Sequence, residues 1–210
     1  MKKKNKGTLI TFEGPEGGGK STQINLFSDF LIKRGYSILI TREPGGTQLG
    51  NQIRNILLNA AYSDLVDRAE LFLFFADRAQ HVVKVIKPAI DDGMIVLCDR
   101  YIDSTVAYQS GGRGFDRELI DKLNLFSSYN FIPYITFLLD IDPSVGLLRA
   151  TKDRVDRFEQ EKIDFHTIIR DTYLGLAREH HERIIYVNSM GKSIEEIQLE
   201  IQNASSYRGI

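Results

Sequence analysis

The chain has 210 residues, with 27 Lys and Arg against 28 Asp and Glu for a formal net charge of -1, and 42% of it is hydrophobic. That apolar share can bury a core large enough to offset chain entropy, which argues against disorder. The near-neutral balance argues against a dedicated nucleic-acid binder, which carries a basic excess.

The start, Met1 to Lys6, is basic, but only Thr8 to Phe12 follow as an apolar run before Glu13. A secretory signal core needs roughly 7–15 apolar residues, so a charged tail leading into a strand is expected. No run approaches the roughly 20 residues of a membrane span. The single cysteine, Cys98, has no internal disulfide partner and fits a reducing cytoplasm.

Strand and helix patterns then alternate. Thr8 to Phe12 is β-prone and ends at a glycine-rich turn. A helix follows with Ile24, Phe27 and Leu31 at helical spacing, closed by Gly35. Tyr36 to Thr41 reads as the second strand, and Gln48 to Asn59 as a helix with Ile53, Ile56 and Leu57 on its apolar face. Asp67 to Ile90 is a long helix in which Pro88 is the place for a kink. Met94 to Cys98 is the third strand, and Asp116 to Ser127 a helix with Leu119, Leu123 and Phe126 facing inward. Tyr134 to Leu139 is the fourth strand, and Pro143 opens a helix running to about Ala150. A charged stretch, Thr151 to Lys162, leads into a helix ending near His181; Ile184 to Val187 is the fifth strand, and Ile194, Ile197 and Ile201 mark a closing helix. Asn203 to Ile210 carry no pattern. Such alternation predicts one α/β domain over 1–210, a parallel sheet covered on both faces, with ligands at the carboxyl ends of the strands.

The residues just after the first strand are Gly14-Pro15-Glu16-Gly17-Gly18-Gly19-Lys20-Ser21. They match G-x-x-x-x-G-K-[ST] in the required strand-to-helix setting. Backbone N–H groups and the helix N-terminus would cradle phosphates, Lys20 would reach the β- and γ-phosphates, and the Ser21 hydroxyl would ligate Mg²⁺. Thr22 is a further phosphate donor. A guanine-reading N-K-x-D is missing: the one Asn-Lys, Asn5-Lys6, precedes the first strand.

Cationic residues fall at the strand ends. Arg42 closes the second strand, Asp99-Arg100 the third, and Arg54 lies on the helix between them. Asp99 would hold Mg²⁺ and Arg100 would bridge two phosphates bidentately, although a surface ion pair is the ordinary fate of a lone Arg. Residues at about 149–162, with Arg149, Lys152, Arg154 and Arg157, read either as a solvated helix face or as a mobile lid. The variable loop positions, Pro15 to Gly18, lack a cation, so the lid reading supplies one for the transferring group. Phe74 and Arg78 share one helix face; Thr105, Tyr108 and Gln109 share another. An aromatic, a guanidinium and neutral polar groups suit a nucleobase, but from periodicity alone a plain core, with Phe72, Phe74 and Phe75 all in it, is the better account.

The chain resembles the thymidylate kinases, among the nucleoside monophosphate kinases. The matching stretches are Phe12 to Ser21, Thr41-Arg-Glu-Pro-Gly-Gly-Thr47, Asp99-Arg-Tyr-Ile-Asp-Ser104 with Ala107-Tyr-Gln109, Gly112-Arg-Gly114, and Asp156-Arg157 with Glu159-Gln160. The resemblance implies a three-layer P-loop nucleotide kinase fold with a central five-stranded parallel sheet flanked by helices. It implies that Phe74 stacks on thymine, that Arg78 binds a base carbonyl, and that Thr105 and Gln109 read the other polar edge. Tyr108 would lie against the sugar, Arg54 and Arg100 would hold the acceptor phosphate, and Glu16 would lie near the 3′-hydroxyl and the metal. Lys20 and Arg100, with Arg154 and Arg157 of the lid, would be catalytic in transfer of the ATP γ-phosphoryl to dTMP. A homodimer through long helices such as Asp67 to Ile90 is implied too.

No general base is expected, because a phosphate monoester is largely dianionic near pH 7. His81, His166, His180 and His181 read as structural or surface groups, and Cys98 as core. Two alternatives stay open: a kinase for another monophosphate, and a P-loop switch protein.

Overall fold

The computed structural model describes residues 7–150 and 156–210. Lys152 and Arg154, inside the expected lid, fall outside them.

Five strands form one parallel sheet: β1 (Thr8–Glu13), β2 (Ile38–Arg42), β3 (Ile95–Asp99), β4 (Ile135–Asp140) and β5 (Ile184–Asn188), in the order β2-β3-β1-β4-β5. The register sets Phe12 beside Asp99 and Phe137, so the carboxyl ends of β1, β3 and β4 lie level. The chain crosses to opposite sides of β1, and this reversal of strand order opens a crevice above β1 and β3.

Alternation along β1 sends Ile10 and Phe12 to one face and Leu9 to the other. The first face packs under α1 (Lys20–Lys33) and α9 (Ile194–Tyr207), through Phe27, Leu31, Phe137, Ile197 and Ile201. Each such side chain contributes roughly 1.5–3 kcal/mol by leaving water. Ile210 joins this cluster, which the patternless last residues did not reveal. Gly209, at φ 81°, turns the chain so that the Ile210 N–H reaches the Ser205 carbonyl.

The opposite face carries α2 (Gln48–Leu58), α3 (Asp67–His81), α6 (Arg117–Ser127) and α8 (Ile163–Glu179). The expected long helix is continuous. Between α3 and α4 (Lys87–Asp91) it widens into a π-helical turn, Val82–Ile86. That register removes the α-helical acceptor geometry Pro88 would have violated. A second π-helical segment, Val106–Gly112, follows the short α5 (Ile102–Thr105). Tyr108 and Gln109 therefore stand on a widened turn. Helix α7 (Pro143–Ala150) begins at Pro143, as expected.

Two apolar faces differ from expectation. On α6 the buried residues are Ile120, Asn124 and Ser127, while Leu119 is 45% and Phe126 84% exposed. Leu123 alone of the expected three packs inward. The helix turns its polar Asn124 inward because a buried guanidinium needs that amide. On α2 Ile53 and Leu57 are buried while Ile56 is exposed.

Candidate functional site

The turn after β1 is shaped by glycine. Gly14 (φ 129°) and Gly17 (φ 68°) adopt backbone that L side chains avoid, and a Cβ on either would strike the Leu139 or Gly146 carbonyl. The turn ends at Gly19, which caps α1 and leaves its first N–H groups facing the crevice. Lys20 is buried and donates to the carbonyls of Gly14 (3.1 Å) and Pro15 (2.8 Å). Burial, then the charge of Arg100, holds its ammonium down at about 8, against the opposing pull of Glu16, Asp99 and Glu13. Ser21 Oγ donates to Asp99 Oδ2 at 2.9 Å across the groove. Gly17 to Thr22 line this groove together with Arg42, Arg54, Asp99, Arg100 and Arg149.

Arg100 joins the two halves of the site. It follows β3 at φ 69°, an uncommon conformation for a non-glycine residue, held by its N–H to the Phe12 carbonyl (3.0 Å). Its guanidinium donates to the Gly14 carbonyl, Ser104, Tyr173 and, at 2.7 Å, to Glu16 Oε1. Glu16 also accepts from the Tyr108 hydroxyl at 2.7 Å. Burial alone would raise Glu16; Arg100 and Lys20, with those hydrogen bonds, overcome it and hold the carboxyl at about 2. Behind them Glu13 accepts from the Tyr101 N–H, Ser104 and Tyr173. Burial and then the Asp103 charge push Glu13 up to about 7 despite those bonds. Arg54 Nη1 donates to the Pro44 carbonyl at 3.1 Å, and burial with the neighbouring Arg42 charge pulls Arg54 down from its usual value. A partly buried guanidinium held down in this way gains from an anion placed beside it.

The second cavity is lined by Glu16, Arg54, Phe74, Arg78, Arg100, Thr105, Tyr108 and Gln109, all expected, and by Glu43, Tyr101, Ser104, Asp156 and Phe158, which were not. Arg78 is 2% exposed. Its Nε and Nη2 meet Glu43 Oε2 at 2.8 Å, and its Nη1 donates to Thr105 Oγ1 (2.9 Å) and Asn124 Oδ1 (2.6 Å). A guanidinium has about five N–H groups, so one on Nη2 is left over in a residue that lines the cavity. Glu43 is held in turn by His81 Nδ1 at 2.9 Å, and His81 Nε2 pairs with Thr41 at 2.6 Å. His81 is thus structural, as expected.

Gln109 Nε2 donates to Glu70 Oε1 at 2.9 Å, and Gln109 Oε1 is buried with no hydrogen-bond partner among the described residues. Phe158 closes this side, 6.0 Å from Phe74 and edge-on to Tyr108 at 5.7 Å. The described end of the charged stretch is therefore a buried aromatic anchor rather than a solvated face. Arg157 lies along α2's end, donating to the Leu57 carbonyl and pairing with Glu70. It does not line the phosphate groove among the described residues.

The unexpected residues fall into two kinds. Glu43 and Ser104 sit inside the quoted Thr41–Thr47 and Asp99–Ser104 segments, so a signal existed. Glu70, Asn124 and Tyr173 lie on amphipathic helices, where one buried polar residue carries no local mark.

The family model described as thymidylate kinase matches residues 12–201. The thymidylate kinase of Pelobacter propionicus is 48% identical over 198 residues, covering 91% of this chain and 90% of that protein. That of Desulfovibrio desulfuricans is 44% identical over 204 residues, covering 93% and 94%. Among solved structures, the thymidylate kinase of Ehrlichia chaffeensis superposes with a TM-score of 0.79 at 34% identity, covering 94% of this chain and 98% of that one. Site, sheet order and sequence agree, and the chain belongs to the thymidylate kinase family.

Proposed function

We infer that the chain transfers the γ-phosphoryl group of ATP to dTMP, giving dTDP and ADP, as an ATP-dependent nucleoside monophosphate kinase. The observation that carries this reading is that Glu16, Glu43, Arg54 and Arg100 line both the phosphate groove and the second cavity. Two anions can thus meet end to end across one guanidinium pair.

The roles follow from placement. Gly14 to Thr22, with Lys20, hold the donor phosphates. Ser21 and Asp99 offer a hydroxyl and a carboxylate 2.9 Å apart at the groove. Hard oxygen donors in this small number suit Mg²⁺, which keeps waters and takes its other ligands from phosphates. When bound, the ion would neutralise charge on the β- and γ-oxygens. Arg54 and Arg100 hold the acceptor phosphate. Phe74 stacks on the base, and the free Arg78 N–H donates to a ring carbonyl. Thr105 accepts from Arg78 and fixes it. Tyr108, tied to Glu16, lies against the sugar and leaves little room for a 2′-hydroxyl.

Bringing the anions together is the cost to be met. Two unit charges ~5 Å apart repel by about 3 kcal/mol at an effective dielectric of 20. Lys20 and Arg100 offset this and keep the reactants in line. Of the lid cations, Arg154 is assigned to the transferring group. Arg157 reaches it only by leaving Glu70, so its part is to anchor the lid's second end until closure. Such a lid, at about 149–162, would exclude water and limit futile hydrolysis.

A second copy is the partner. Val66 and Phe72 on the α3 side are 66% and 63% exposed, and Leu119 and Phe126 project from neighbouring α6. Apolar rows on adjacent helices are the kind of face an isologous dimer buries. No helix among the described residues is long and apolar enough to cross a membrane, and a cytoplasmic site is assigned on the lone cysteine.

The test is ADP release with ATP and Mg²⁺ against dTMP, dUMP, UMP, dCMP and AMP. A marked preference for dTMP is expected. ADP release indifferent to every acceptor would return the chain to the switch reading. Sedimentation velocity at micromolar concentration should give twice the chain mass.

A further inference from the structure

We propose that Glu70 is a positioning residue that sets pyrimidine specificity by fixing which end of the Gln109 amide faces the base. The proposal rests on the reading of the second cavity as a dTMP site.

Glu70, on α3, is 0% exposed and lies beyond the cavity wall, outside its lining. Its Oε1 receives Gln109 Nε2 (2.9 Å) and Arg113 Nε (3.3 Å). Its Oε2 receives Arg113 Nη2 (3.3 Å) and Arg157 Nη2. A carboxylate clasped by two guanidinium groups only accepts hydrogen bonds. It therefore takes the NH₂ end of Gln109, and the amide cannot turn over without setting oxygen against oxygen. Turning it would also forfeit the hydrogen bond to Glu70, so that neither end of the amide had a partner among the described residues. The consequence is that Gln109 Oε1, buried and unpartnered, is the acceptor offered to a ligand.

Arg78, with one N–H left over, lines the same cavity and is the donor there. One donor and one acceptor in a single cavity match the imide edge of thymine or uracil, where a ring carbonyl adjoins N3–H. Cytosine presents the reverse, an amino group adjoining a bare N3. Against cytosine, donor would face donor and acceptor would face acceptor, which is rejection by unpaired polar groups rather than by size.

Glu70→Gln reverses the logic with no change in volume. The new amide keeps its oxygen toward Arg157 Nη2 and Arg113 Nη2, gives up the long Arg113 Nε contact (3.3 Å), and gives its NH₂ to Gln109, so Gln109 turns and offers NH₂ to the base. The readout is the ratio of kcat/KM for dTMP over dCMP, or of their inhibition constants where turnover is slow. The expected result is a ratio at least about 30-fold lower than in the unmodified protein, chiefly through loss of dTMP. A merely structural role would lower both substrates together and leave the ratio unchanged, which overturns the proposal. Should Glu70→Gln fail to fold, Gln109→Met removes the acceptor while Glu70 keeps its arginines. Collapse of the ratio there supports the assignment, and an unchanged ratio overturns it. If the unmodified protein does not phosphorylate dTMP at all, the cavity reading fails instead, so the two failures are distinct.

Discussion

The phosphate groove takes most of its contacts from one uninterrupted stretch, Gly14 to Thr22, whereas the base cavity takes its walls from α2, α3, α5, the following π-helical turn and Phe158. The first is backbone: tight glycine turns, a helix end and one lysine. The second is a chain of buried side chains, in which Thr41 steadies His81, His81 steadies Glu43, and Glu43 steadies Arg78. A phosphate is nearly symmetric and can be caught by N–H groups with charge behind them. A base must be read by donors and acceptors in a fixed order, and that order survives only if every group behind it is satisfied. Damage to the groove should therefore fall on chemistry alone, and damage to the cavity on chemistry and stability together.

Lys20→Ala breaks that contrast most sharply if it fails. Loss of kcat of ~10³-fold is expected, the scale of removing one preorganised charge from developing anionic oxygens. Because the hydrogen bonds of Lys20 among the described residues go to loop carbonyls, the melting temperature should stay within a few degrees. Near-normal turnover would remove the lysine from the mechanism.

Arg78→Ala should do both kinds of damage. kcat/KM for dTMP should fall ~10²-fold while the KM for ATP changes less than about threefold. Unfolding free energy should drop by about 3–5 kcal/mol, because Glu43, 4% exposed, loses its guanidinium and is left buried. Chemical denaturation with and without nucleotide reads both. Loss of dTMP activity at unchanged stability would mean that the network behind the cavity carries no load.

How much could be read in advance follows the same division. The groove was legible because its residues are neighbours in sequence and each type has one reason to be there. Sheet, helices and the opening of α7 at Pro143 were legible from period and punctuation. The apolar face of α6 was misplaced because Asn124 had to turn inward to accept from Arg78, a contact 46 residues away. Leu119 and Phe126 then faced outward. Phe158 was hidden inside a run of charges, and Glu70 looked like one more surface acid in a helix. Only its long-range partners, Gln109, Arg113 and Arg157, disclose it.

Phe74→Ala sharpens the comparison within the cavity. Phe74 is half-buried, packs against Phe158 and takes part in no hydrogen bond of the network. Its loss should raise the KM for dTMP about tenfold, within the roughly 1–3 kcal/mol of one base–aromatic stack, at little cost in stability. A stability loss as large as that of Arg78→Ala would make Phe74 core rather than a base platform.

The smallest effect belongs to the groove and is read in protons. Lys20 is held at about 8 by burial and by Arg100. Donor phosphates bring negative charge against it and favour its charged form, so its pKa rises when ATP binds. Below pH 7 the ammonium is already protonated in both states and binding takes up no proton there. At pH 8.5 roughly three-quarters of the unliganded lysines are neutral, and each must be protonated as ATP seats. Calorimetry in buffers of different ionisation heat should therefore show uptake of about that fraction at pH 8.5. Affinity should weaken about fourfold between pH 7 and 8.5 by linkage to this one group. Glu16, held at about 2, stays ionised across that range and adds nothing. Lys20→Arg supplies the control, since a guanidinium does not titrate there. The same uptake in that variant would place the titrating group elsewhere, with Glu13, at about 7, the next to examine.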